Sequence, residues 1–66
     1  MMNVNTVVLE NLLAERGMTK SDLAKASGVS RQSLSTIIKR GSCEPRTAGK
    51  LAAGLGVSVQ EIRKEV

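Results

Sequence analysis

TKSDLAKASGVSRQSLSTIIKR, residues 19–40, is written as two short helices and a tight turn. Thr19 stands three positions before Asp22, a near relative of the capping box, in which the hydroxyl and the acid each satisfy a backbone N–H that the first turn leaves free. Gly28 ends this first helix after barely two turns and can take the positive φ that a Cβ penalises. Ser30 is the N-cap of a second helix, predicted from Arg31 to Lys39 or Arg40 and stopped before Gly41. Helices joined by three or four residues must cross steeply, which calls for a small residue at the crossing. Ala24 meets that demand, and Val29, Leu34 and Ile37 are the apolar anchors that seat the second helix. Each match is weak alone; the spacing Ala24-x3-Gly28-x5-Leu34-x2-Ile37 satisfies them all in order.

The second helix has two unlike sides. At about 100° per residue, Arg31, Gln32, Ser35, Thr36 and Lys39 fall within about 140° of one another, while Leu34, Ile37 and Ile38 cover the opposing side. The polar side holds groups that match base edges in duplex DNA: Arg for guanine, Gln for adenine, and Thr for a thymine methyl. An ordinary solvated face would hold Glu beside its Lys. This helix contains no acid, and an acid there would repel phosphate.

Outward from this pair, glycines at 17, 28, 41 and 56 divide the chain into five predicted helices. The first runs over about 6 to 16 with Val8 or Leu9, Leu12 and Leu13 as its apolar stripe, and Gly17 follows as C-cap. Residues 41–44 are predicted as a loop, and Pro45 suits the first turn of the fourth helix. Leu51, Ala52 and Leu55 face inward from that helix; Gly49 and Gly54 weaken it, each by about 1 kcal/mol relative to Ala. Ser58 and Glu61 form an S-x-x-E capping box that opens the fifth helix, with Val59, Ile62 and Val66 along one side. No stretch reads as a strand. The expected fold is all-α, a compact five-helix bundle formed by residues 1–66 as a single domain.

Composition excludes several functions. The 66 residues include no Phe, Tyr or Trp, so the core is built from Leu, Val, Ile, Ala and Met, and no aromatic platform exists for stacking single-stranded bases. A chain this short buries about 60% of its unfolded surface, which makes its stability modest. No histidine and one cysteine exclude an ordinary zinc site or a disulfide framework, and Cys43 reads as a loop thiol with no partner. Ser30, Ser33 and Ser35 have no base to activate them, no acid pair suggests a cleft, and no Gly-rich phosphate loop is present. Neither an enzyme nor a cofactor or metal is expected. Seven cations face two acids between residues 20 and 50, whereas three face four in the remainder. A basic centre between slightly acidic ends suits a polyanion. With no membrane span or signal pattern, a cytoplasmic setting is expected.

On these residues the chain resembles the helix-turn-helix family of lambdoid phage repressors and Cro proteins. The similarity extends to Leu51-Ala52-Ala53-Gly54-Leu55-Gly56-Val57-Ser58-Val59, which resembles the family's junction between helices 4 and 5 at the expected distance from Ala24 and Gly28. The resemblance implies a sequence-specific binder of double-stranded DNA acting in transcription, with the third helix in the major groove and the second across it. By the same resemblance Arg31, Gln32 and Thr36 occupy base-reading positions, and Ser35 lies among them. Lys20 replaces a Gln that contacts phosphate, Ser30 caps and can donate to phosphate, Lys39 and Arg40 meet the backbone, and Arg46 matches an arginine that approaches the minor groove.

Two departures stand out. Cys43 and Glu44 stand where relatives carry basic loop residues, which puts loop contacts to phosphate in doubt. Leu13 and Ile38 stand where several phage repressors place an Arg–Glu pair, and apolar replacements avoid desolvating two charges. One recognition helix reads few base pairs, so a homodimer on DNA is expected. The competing reading is an antitoxin-like or anti-repressor module of the same fold whose main partner is a protein.

Overall fold

The computed structural model describes residues 1–65; Val66, expected on the inner side of the fifth helix, lies outside the described residues. Five helices follow a two-residue strand: β1 (Met2–Asn3), α1 (Thr6–Glu15), α2 (Lys20–Ser27), α3 (Arg31–Arg40), β2 (Ser42–Cys43), α4 (Pro45–Leu55) and α5 (Val59–Ile62). The expected helical architecture is present. None of the described helices is long and apolar enough to cross a membrane.

α1, α2 and α3 begin where a side chain satisfies a free first-turn N–H group, whereas α4 begins at Glu44 and Pro45 with no side-chain cap. In α1 the cap is Asn5, whose Oδ1 accepts from Val8 N at 3.1 Å. In α2 the capping box is complete: Thr19 N donates to Asp22 Oδ2 at 2.9 Å and Asp22 N to Thr19 Oγ1 at 3.1 Å. At α5, Glu61 Oε2 accepts from Ser58 N at 2.9 Å, while Glu61 N donates to the Ser58 carbonyl at 3.1 Å.

The core is aliphatic. Leu9 and Leu13 of α1, Leu23 of α2, Leu34 and Ile37 of α3, Ala48, Leu51, Ala52 and Leu55 of α4, and Ile62 of α5 are all buried, as are Val4, Val29 and Cys43 between them. Leu12 and Ile38 pack half-buried against this core. No charged or polar residue is buried among the described residues, so no ion has been desolvated to build the interior.

Gly54 has a role opposite to the one its helix propensity suggests. α2 and α4 approach so closely that a Cβ at Gly54 would lie 3.0 Å from both the Cβ and the backbone nitrogen of Ser27. Ser27 itself closes the end of α2: its Oγ donates to the Leu23 carbonyl at 2.7 Å and accepts from Val29 N at 3.2 Å. Gly28 then turns the chain at φ +76°, which places α3 against α2 after three residues.

Two sequence expectations are corrected. The 41–44 segment contains β2, which pairs antiparallel with β1, Met2 opposite Cys43 and Asn3 opposite Ser42. Cys43 is therefore a buried, unbridged strand residue and not a loop thiol. The fifth helix ends at Ile62, because Arg63 leaves the helical region (φ −75°, ψ 134°) and forms an antiparallel bridge with Val4. Asn5 N donates to the Ile62 carbonyl at 2.7 Å and Lys64 N to the Asn3 carbonyl at 3.0 Å. The N-terminal segment thus runs between β2 and the end of α5, tying both to α1.

Candidate nucleic-acid interface

α3 stands out from the body on its polar side. Leu34 and Ile37, one turn apart, are buried, and Val29 seats its beginning. Arg31, Gln32, Ser35, Thr36, Lys39 and Arg40 are all exposed. Lys20 is exposed at the first position of α2, Ser30 at the N-cap of α3, and Arg46 in the first turn of α4. Every residue expected to contact a ligand is accessible.

Hydrogen bonds set what several of these groups can offer. Ser30 Oγ accepts from Ser33 N at 3.1 Å and donates to Ser33 Oγ at 2.9 Å. Its proton is used within the chain, so the hydroxyl of Ser33 is the outward donor at this end. The N–H groups of the first α3 turn also point away from the helix body, as at any helix start, and favour an anion. Thr36 Oγ1 donates to the Gln32 carbonyl at 3.1 Å. With its proton so engaged, Thr36 presents a methyl group and acceptor lone pairs.

The charges are free as well as exposed. Among the described residues the one ion pair joins Arg16 and Glu15, at 4.0 Å, far along the chain from α3. Lys20, Arg31, Lys39, Arg40 and Arg46 are thus available to an external anion, and Lys39 and Arg40 lie in the last turn of α3, where the helix dipole favours cations.

Beside α3 lies an open concavity of about 320 Å³, bounded by α3, β2 and the start of α4. Of the expected site residues, Gln32, Thr36 and Arg40 line it, together with Ser33, Ser42, Glu44, Thr47 and Met1. Arg31, Ser35 and Lys39 are not part of its lining, and by helical geometry they occupy the outer flank of the same polar face. Met1 reaches the concavity because β1 pairs with β2; its Sδ lies 3.9 Å from Arg40 Nη1 and 3.8 Å from Ser42 Oγ. No local pattern in the sequence announces that contact. Cys43 forms part of the floor, its thiol pKa pushed up by burial and then by the neighbouring Glu44 charge, which leaves it protonated and unreactive.

A helix-turn-helix family model matches residues 9–62, from the first buried leucine of α1 through the last residue of α5. The chain belongs to the helix-turn-helix family. Comparison with curated proteins and with solved structures returned no match. The family is one of DNA-binding regulators, and its defining pair in this chain is α2 and α3. The helix-turn-helix pair carries the exposed, acid-free face described above, and the rest of the family match is the scaffold that holds it.

Proposed function

We propose that this helix-turn-helix protein is a cytoplasmic transcriptional regulator that recognises double-stranded DNA by sequence, with α3 in the major groove. The observation that carries the proposal is the outer face of α3: five exposed polar side chains, no acid, and a three-residue turn that seats the helix on α2. Arg31 and Gln32 are assigned to base edges, since an Arg fork fits guanine and an amide fits adenine. Thr36 offers its methyl to thymine, and Ser35 lies between them on the same face. Lys20, Lys39 and Arg40 are assigned to the backbone, and the contact expected of Ser30 passes to the Ser33 hydroxyl, to which Ser30 Oγ donates. Arg46, at the start of α4, is assigned to the adjacent minor groove.

The role assigned to the protein is binding; the serine hydroxyls at 30 and 33 are engaged with each other, and Ser30 Oγ also accepts from Ser33 N. One α3 covers only a few base pairs, so two copies are assigned to each operator, with half-sites separated by about one helical turn, ~34 Å.

The test is selection of bound sequences from a random duplex pool at a stated salt concentration. The proposal expects a short two-fold-related motif to be enriched. A pool that remains random, combined with binding that weakens uniformly in salt, would leave only non-specific attraction and sink the claim of sequence recognition.

A further inference from the structure

Glu44 is the anomaly of the basic surface. It is the N-cap residue of α4, yet its side chain caps nothing, and no cation lies within 4.0 Å of its carboxylate among the described residues. An acid at the start of α4 is favoured by the helix dipole, but the side chain makes no specific contact that fixes glutamate there. Ser, Thr, Asp or Asn would cap α4 better. It is exposed, and it lines the same concavity as Gln32, Ser33 and Thr36, on the side across from α3.

We infer that Glu44 is a specificity-determining residue of the DNA surface, placed in the concavity beside α3 to accept from the exocyclic amino group of a cytosine. The inference rests on α3 reading the major groove. With α3 there, the concavity borders the duplex, because Gln32 and Thr36, assigned to base edges, form its α3 wall. A carboxylate in that position is repelled by phosphate in every sequence, so it subtracts from attraction that carries no sequence information. It recovers the loss only where a base edge offers it a donor, and in the major groove the cytosine N4 amino group is the donor that suits Glu. Discrimination is a difference between two affinities, and a group that weakens the wrong complex contributes as much as one that strengthens the right one.

The experiment compares the full chain with Glu44→Gln and Glu44→Lys. Each is titrated against the preferred duplex, its single-base variants and a random-sequence duplex, at two salt concentrations. Glu44 is exposed and makes no side-chain hydrogen bond, so both variants should retain the wild-type circular dichroism spectrum. Glu44→Gln is expected to bind the random duplex more tightly and to lose about fivefold or more of its preference at a single C·G pair. Glu44→Lys should tighten the random duplex further. If the ratio of preferred to random affinity is the same in Glu44→Gln as in wild type, whether both affinities rise or neither does, Glu44 has no part in specificity. A wild-type chain with no preferred duplex at all would instead overturn the reading of α3, and the role of Glu44 with it.

Discussion

The contact between α2 and α4 and the outer face of α3 are governed by different demands. At the first, Ser27 and Gly54 approach until a single added carbon would lie 3.0 Å from backbone. There the residue type is set by the volume that remains. At the second, Arg31, Gln32, Ser35 and Lys39 are exposed, and their side chains form no hydrogen bond or ion pair with any described residue. Nothing inside the protein requires an arginine at 31 or a glutamine at 32. Where packing decides, a residue reports on its neighbours; where packing is silent, the residue is free to be set by a partner outside the chain, as proposed for α3.

The largest test of this contrast is a charge forced into the packed side. Leu13 is 6% exposed. Leu13→Arg is expected to destabilise the fold by about 3 kcal/mol or more, because the interior provides no partner for the ion. Adding Ile38→Glu should recover part of that loss. A double variant no more stable than the two single effects combined would mean that positions 13 and 38 are not neighbours. Both are read by denaturant titration.

Next come two glycines of one helix. Gly54→Ala is expected to lose about 1–2 kcal/mol, since overpacking outweighs the gain in helix propensity. Gly49 has nothing within 4 Å of an added Cβ. Gly49→Ala should therefore gain up to about 1 kcal/mol from propensity alone. Gains at both positions would show that α2 and α4 can separate without cost, and the packed side would lose its defining constraint.

These glycines also mark the limit of what the sequence discloses. Propensity treats Gly49 and Gly54 alike, because the neighbour that distinguishes them, Ser27, is half a chain away. Helix starts were legible at Thr19 and Ser30 because capping chemistry acts within three residues. β1 and β2 were not legible: two residues cannot show an alternating pattern, and their pairing depends on the return of the chain after α3. The same is true of the end of α5, where the bridge from Val4 to Arg63 overrides continued helix. The outer face of α3 was readable as one arc, being local to one helix. Its division into an outer flank and a concavity shared with Glu44, Thr47 and Met1 required the tertiary fold.

Smaller effects belong to the exposed side. Arg31→Ala and Lys39→Ala should each change folding stability by no more than about 0.5 kcal/mol, as surface substitutions do. A larger loss on thermal or chemical unfolding would show that the fold, and not a partner, selects these residues. The smallest effect concerns Asp22, whose pKa is lowered because its carboxylate accepts from Thr19 N–H, with the Thr19 hydroxyl contact second. A lowered folded pKa means that the cap contributes fully above the unfolded aspartate value of about 3.9 and fades as pH falls through the folded value. The stability difference between wild type and Asp22→Ala should therefore shrink on acidification through that range. A difference undiminished in acid would contradict the assignment of the cap to the ionised carboxylate.

The central claim, that the outer face of α3 reads base edges through Arg31 while cations such as Lys20 position the protein on the backbone, is tested most directly by two variants on one set of duplexes. Arg31→Ala and Lys20→Ala are titrated against the preferred duplex and each of its single-base variants, at two salt concentrations. Arg31→Ala is expected to flatten preference at one base pair, by about 1–3 kcal/mol, while keeping much of the non-specific affinity. Lys20→Ala should weaken all duplexes equally and reduce the salt slope by about 0.9, the counterion share of one phosphate contact. The opposite result, with Lys20→Ala altering base preference and Arg31→Ala weakening every duplex uniformly, would contradict the account and remove α3 from the role of reader.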